Sequence, residues 1–225
     1  EYPMPAFADL HTHSLLSDGA YIPAELIRRA EVKGYNIFAI TDHIDASNVA
    51  QVVPKVVEAS AWENRLGRMT IVPGGELTHV RPEHIAAVAN QARKLGAKLV
   101  LCHGETLAEP VMPGTNRAAI EAGVDVLAHP GLISEADVRL AAARNVALEI
   151  TAKVGHSLTN GHVAALARKC GARLVFGTDG HVGDQLKSRD QALDILRGAG
   201  MSPEEADAVL VESERVLRAI DVRFD

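Results

Sequence analysis

The 225 residues are 47% apolar but only 4% aromatic, so the core is built from Ala, Val, Leu and Ile, the usual filling of parallel sheets covered by helices. A net charge of −6 with no basic run excludes a general nucleic-acid binder, because nothing would track a phosphate backbone. No apolar stretch approaches the roughly 20 residues that span a bilayer, and no signal-peptide pattern opens the chain; together these predict a cytoplasmic protein without membrane contact, with Cys102 and Cys170 as reduced thiols.

A short apolar run over 6–11 reads as the first strand. Pro23–Lys33 follows with helical spacing, Ile22, Leu26, Ile27 and Ala30 falling on one face and Gly34 supplying a stop. Further strands are predicted over 36–41, 70–74, 98–102, 124–128, 147–150 and 173–177, each followed by a helical stretch. Glycines 67, 96, 123 and 171 stop helices shortly before the next strand. Seven β-then-α units predict a single α/β domain over 1–225, a parallel barrel one unit short of the usual eight. The last two helices, Arg189–Gly198 and 203–220, are expected to complete the outer layer.

Six of the ten histidines stand at or just past predicted strand ends: His11, His13, His43, His103, His129 and His181. Asp9, Asp18, Glu76 and Asp179 share that location. In parallel barrels the C-terminal strand ends form one rim, and that rim carries the active site. In Asp9-Leu-His11-Thr-His13, strand alternation places positions 9, 11 and 13 on one side. Two imidazoles on one face can ligate an ion, and Asp9 can bond an imidazole from behind. Three polar side chains buried together without an ion would be costly. Asp18 before Gly19 reads equally well as a turn residue. A carboxylate at Glu76, after Gly74-Gly75, can bridge two ions.

The motifs Asp9-x-His11-x-His13, Ser17-Asp18-Gly19, Thr41-Asp42-His43, Gly75-Glu76, His103, His129-Pro130 and Gly177-Thr178-Asp179-x-His181 resemble, in order and over nearly the whole chain, the PHP (polymerase and histidinol phosphatase) superfamily. The resemblance implies a distorted seven-stranded TIM-like barrel that holds up to three divalent ions, zinc, manganese or iron, and hydrolyses phosphoesters. It implies His11, His13, Glu76 and Asp179 around one ion, Glu76, His103 and His129 around a second, and Asp18, His43 and His181 around a third. Some members carry a histidine where Asp18 stands, which leaves the third position in doubt. A hydroxide bridging the first two ions is the expected nucleophile, with Glu76, Asp179 and His181 in the catalytic set and His181 or a metal-bound water as proton donor.

Arg81, Lys153 and Arg117 are candidates for meeting a substrate phosphate, each readable also as solvated surface charge. His79 and His156 lie on the same loops and can touch substrate; His84 and His162 fall on helices and read as structural or solvent-facing. The loops over 106–116 and 154–161 leave little room for a cap. A small open pocket is expected, suited to a small phosphorylated substrate such as histidinol phosphate or a nucleotide. The alternatives are a phosphodiesterase of the same superfamily, an amidohydrolase-type C–N or C–O hydrolase, and a non-catalytic metal-binding domain. The amidohydrolase reading lacks a strand-end lysine for carbamylation unless Lys153 serves. Homo-oligomerisation stays open.

Overall fold

A computed structural model of the chain describes residues 7–220; Ala6, where the first predicted strand begins, lies outside them. The strands are β1 (Ala8–Asp9), β2 (Ile37–Ile40), β3 (His43–Ile44), β4 (Thr70–Leu77), β5 (Leu99–His103), β6 (Val126–Ala128), β7 (Ala147–Thr151) and β8 (Leu174–Gly177). The helices are α1 (Pro23–Lys33), α2 (Val49–Asn64), α3 (Pro82–Lys94), α4 (Thr115–Ala122), α5 (Glu135–Arg144), α6 (Asn160–Cys170), α7 (Arg189–Gly198) and α8 (Pro203–Ala219). All strand pairs are parallel, in the order β1-β2-β4-β5-β6-β7-β8, with β3 also on β4. β2 and β3 are two pieces of one strand position, interrupted at Thr41-Asp42. The result is a nearly closed α/β barrel of seven parallel strands.

The barrel closes between β8 and β1 by little more than one bridge, Thr12 with Gly180, and the bond from His13 N to Gly180 O at 2.9 Å. Helix ends follow local rules. Pro23 opens α1, and Gly34 ends it at φ 87°, a conformation that favours glycine. Ser188 with Gln191 and Ser202 with Glu205 form capping boxes that start α7 and α8.

Two apolar clusters divide the core. One lies between sheet and helices and includes Phe38, Ile71, Val100, Leu127, Leu148 and Phe176. The other lies inside the barrel and takes the opposite strand parity: Ala8, Leu10, Ile37, Ala39, Val72, Leu99, Leu101, Val126, Ala147 and Val175. Val216 and Leu217 of α8 belong to this inner cluster. The last helix therefore does more than complete the outer layer: its second half plugs the barrel floor, while Ala206, Val209 and Leu210 pack outside. Among the described residues no helix is long and apolar enough to cross a membrane, and both cysteines are free.

Candidate metal centre

The inward parity that is apolar at the barrel floor turns polar toward the C-terminal strand ends. Above Leu99 and Leu101 on β5 comes His103; above Ala147 on β7 come Glu149 and Thr151; above Val175 on β8 come Gly177 and Asp179. β4 and β5 run further than predicted, so Glu76 and His103 stand within the ladder, opposite Leu101 and Ala128. The ladder holds these two ligand candidates more rigidly than a loop would. Gly177 is required by space: a Cβ there would collide with Glu149 Oε1 and lie 2.8 Å from the His11 Cβ.

The expected alternation of Asp9 with His11 and His13 does not hold. Strand β1 ends at Asp9, and Ala8 and Leu10 face the interior instead. Asp9 accepts bonds from Thr178 Oγ1 (2.6 Å), Thr178 N (3.0 Å) and His11 N (3.2 Å), tying the seam between β1 and β8 rather than touching an imidazole. Glu149 does what was expected of Asp9. Its Oε1 lies 2.7 Å from His11 Nδ1, and its Oε2 accepts from His129 N at 3.0 Å. The signal in the sequence was a lone carboxylate in an otherwise apolar strand, which must find a partner when buried.

The structure brings all nine expected ligands together. Glu76 Oε2 lies 3.3 Å from His11 Nε2 and 3.7 Å from His13 Nε2, while its Oε1 lies 3.5 Å from His129 Nε2. Asp179 divides its oxygens in the same way: Oδ1 is 3.3 Å from His13 Nε2, and Oδ2 is 3.7 Å from His129 Nε2. Glu76 and Asp179 thus each divide their oxygens between His13 and His129. His103 stands edge-on to His129 with ring centroids 4.4 Å apart. At the third position Asp18 Oδ1 lies 3.3 Å from His43 Nε2 and 3.2 Å from His181 Nε2. That position is the most open, Asp18 being 55% exposed where Glu76 is fully buried. His129 and Asp179 hold left-handed backbone at φ 28° and 49°, strain of a kind that collects at functional sites.

Five buried polar atoms in this cluster have no hydrogen-bond partner: His11 Nε2, both ring nitrogens of His13, Glu76 Oε1 and His129 Nδ1. Orphaned donors and acceptors this deep cost about 1–3 kcal/mol each, and cations among them would satisfy most. Burial pulls His13 down to about 3 and His103 to about 4, so both rings are neutral, the form that binds metal. Burial acts the same way on His11, but the carboxylates of Glu149, Glu76 and Asp179 outweigh it and hold this imidazole well above its usual range. Against burial, hydrogen bonds that the ring donates to Asp18 and Glu76 raise His43 to about 10. Glu76 and Asp179 stay well below the usual carboxylate range despite burial, chiefly through His11. Histidines carry the compensating positive charge that divalent ions would supply. The donor set fits the metals.

A cavity of about 380 Å³ opens above the cluster, with Asp18, His43, His103, Asp179 and His181 on its floor and His79, Glu109, Lys153 and His156 on its walls. Lys153 Nζ lies 2.7 Å from His181 Nδ1 and 3.4 Å from Asp179 Oδ1. His79 and His103 both approach Glu109 Oε2, at 3.0 and 3.2 Å. His156 stacks on His129 at 4.3 Å, its Nδ1 2.7 Å from Thr106 Oγ1. Glu109 carries no warning in the sequence, being an ordinary loop glutamate. Two candidates fail to arrive. Arg117 projects from α4 on the outside of the barrel and pairs with Asp137 of α5 at 2.6 Å. Arg81 is exposed at the start of α3 and does not line the cavity. His84 is exposed and His162 bonds the Ile133 carbonyl, as their helical positions led us to expect.

The family model of the PHP domain matches residues 9–197. The chain is 39% identical over 215 residues to an uncharacterised protein of Methanocaldococcus jannaschii, covering 93% of this chain and 97% of that one. It is 31% identical over 218 residues to a protein of Shewanella sp. strain ANA-3 named a probable phosphatase, covering 87% and 83%. Among solved structures, a chain of archaeal ribonuclease P with mature tRNA superposes with a TM-score of 0.73 at 19% identity, covering 95% of this chain and 91% of that one. The histidinol phosphate phosphatase of Lactococcus lactis, solved with zinc, L-histidinol and phosphate, superposes with a TM-score of 0.57 at 16% identity, covering 87% and 94%. At these identities both structures speak for the fold.

Proposed function

The chain belongs to the PHP domain family, and from that premise we propose that it is a metal-dependent phosphoesterase acting on a small phosphomonoester. One observation carries the reading: Glu76 and Asp179 each divide their two oxygens between neighbouring histidine groups on the floor of a cavity whose wall holds a lysine. His11, His13, Glu76 and Asp179 would hold one cation, Glu76 with His103 and His129 a second, and Asp18, His43 and His181 a third. Such cations lower the pKa of a bound water to about 7 and offset negative charge on phosphoryl oxygens. Lys153 would meet a phosphate oxygen: among the described residues it is the lysine or arginine that lines the cavity. Glu149 keeps the His11 ring turned so that Nε2 faces the cluster.

The cavity volume suits a monoester better than a polymer, and the named relatives include probable phosphatases. A carbamylated lysine, which the amidohydrolase alternative calls for, has no role to fill, because Glu76 already spans the first two positions and Lys153 Nζ bonds His181. The test is hydrolysis across a panel of phosphomonoesters, phosphodiesters, lactones and amides, with metal content measured on the same sample. Phosphate release that disappears on chelation and returns with Mn²⁺ or Zn²⁺ is expected. Full activity in strong chelator, or turnover of amides alone, would sink the proposal.

A further inference from the structure

Asp18 is held differently from the ligand candidates around it. Glu76 and His103 stand within the sheet ladder, and Glu149 fixes the His11 ring. Asp18 lies instead on a turn over residues 14–19, between β1 and α1, with its side chain 55% exposed. The turn is wound about Ser14, whose carbonyl oxygen accepts from Ser17 N at 3.1 Å and from Gly19 N at 2.9 Å. Leu15 N closes its base by donating to Tyr21 O at 2.7 Å, and Ala20 N ties it to the His181 carbonyl oxygen at 2.8 Å. On the other side it is tied to Asp42. This residue is fully buried at the break between β2 and β3, immediately before His43. Its Oδ1 accepts from Ser14 N at 2.8 Å and from Ser17 Oγ at 2.7 Å, and its Oδ2 accepts from Ser14 Oγ at 2.7 Å.

We propose that Asp42 is the positioning residue of the third cation position, holding the turn so that Asp18 stands against His43 and His181. This rests on the metal-dependent phosphoesterase reading and names what builds one part of the same site. Ser17 and Asp18 are consecutive, and so are Asp42 and His43. The bonds between Asp42 and the turn therefore fix the spacing of two ligands through one peptide unit on each side. Asp18 Oδ1 already lies 3.3 Å from His43 Nε2 and 3.2 Å from His181 Nε2. A carboxylate on a free, half-exposed turn would have to be ordered when a cation binds, and that entropic cost is avoided when the turn is fixed beforehand. A carboxylate as deeply buried as Asp42 is itself costly unless hydrogen bonds satisfy it, and three donors from one turn do so. Both Asp42 oxygens are engaged by the turn, so the residue acts on the cation through Asp18.

Equilibrium dialysis of the whole chain against Mn²⁺ over a range of concentrations reads this role without reference to turnover. D18N identifies the third ion as the one that it weakens. D42A should weaken that same ion about 10–100-fold, the loss usual for a residue acting behind a ligand, and leave the other two unchanged. An asparagine at this position can still accept from Ser14 N and Ser17 Oγ and donate to Ser14 Oγ, so D42N should recover most of the lost affinity. S17A removes one bond of the three and should weaken the third ion less than D42A does; it carries the test should D42A fail to fold. Third-ion affinity unchanged in D42A and S17A overturns the proposal, as does an equal loss of all three ions. So do a wild type in which D18N weakens no ion and a D42N variant as weak as D42A, which would assign the effect to charge and not to position. Selective loss of the third ion in a protein that hydrolyses no ester would sink the functional reading and leave the positioning role standing. Ester hydrolysis with ion binding indifferent to Asp42 does the opposite.

Discussion

The two ends of the barrel are built on the same strands and face opposite demands. At the floor, the inward side chains are Ala, Leu, Ile and Val, sealed by Val216 and Leu217 of the last helix. Two to four residues further along the same strands the inward positions include His43, Glu76, His103, Glu149 and Asp179, with five buried polar atoms left unpartnered. Apolar burial contributes roughly 25 cal/mol per Å², whereas each orphaned polar atom costs. The floor therefore stabilises the fold, and the rim draws on that stability to hold an arrangement made for cations. Left-handed backbone at His79, His129 and Asp179 falls on the rim side of this division.

That contrast can be broken by substitution, and the largest effect should come from the rim. Glu76→Gln should lower phosphoesterase activity about 10³-fold, beyond the 10–100-fold of a residue acting behind a ligand, because it loses charge at two cation positions together. Metal analysis and turnover on the same sample check this; a variant that keeps two tightly bound ions and most of its rate would refute it. Leu217→Ala probes the floor. It should cost about 2–4 kcal/mol of unfolding free energy while the folded fraction keeps its full metal content and KM, measured by denaturant titration and ligand-saturation kinetics.

Glu149→Gln sharpens the boundary, since Glu149 stands where the apolar floor gives way to the rim. We expect a 10–100-fold loss in metal affinity with a smaller change in stability, read by competition with a chelator. The smallest effects separate the cations. Lys153→Ala should raise KM for a phosphomonoester about tenfold, the loss of about 1.4 kcal/mol. Arg117→Ala should leave kinetics unchanged and cost about 1 kcal/mol of stability, since it strips the partner from the largely buried Oδ1 of Asp137 outside the barrel. Equal effects of these two substitutions on KM would contradict the placement of both residues.

Much of this was legible in the chain because parallel barrels make it so. Regular alternation of apolar runs and glycine-stopped helices specifies the architecture, and strand-end histidines specify the rim, because local periodicity survives without knowledge of contacts. Local rules failed where backbone geometry departed from them. Alternation would have kept Asp9 beside His11, but β1 ends after two residues and the chain turns at the seam, sending Asp9 to Thr178. Strand β4 continues past Gly74-Gly75, which pattern reading took for its end, and so carries Glu76 in the ladder.

The sequence by itself determined a seven-unit barrel and the rim of histidines and carboxylates at its strand ends, which follow from local spacing, while the choice of nine ligand candidates among them came from the resemblance to the PHP superfamily. Only the tertiary structure decided which distant groups stand behind those ligands. Glu149 is 138 positions from His11, and Lys153 is 28 from His181, yet each lies 2.7 Å from its imidazole. Such pairings depend on how neighbouring strands are registered and which rotamers fit between them, quantities that no local pattern encodes. They also separate Lys153, drawn into the cavity, from Arg117, which the same sequence logic had placed beside it.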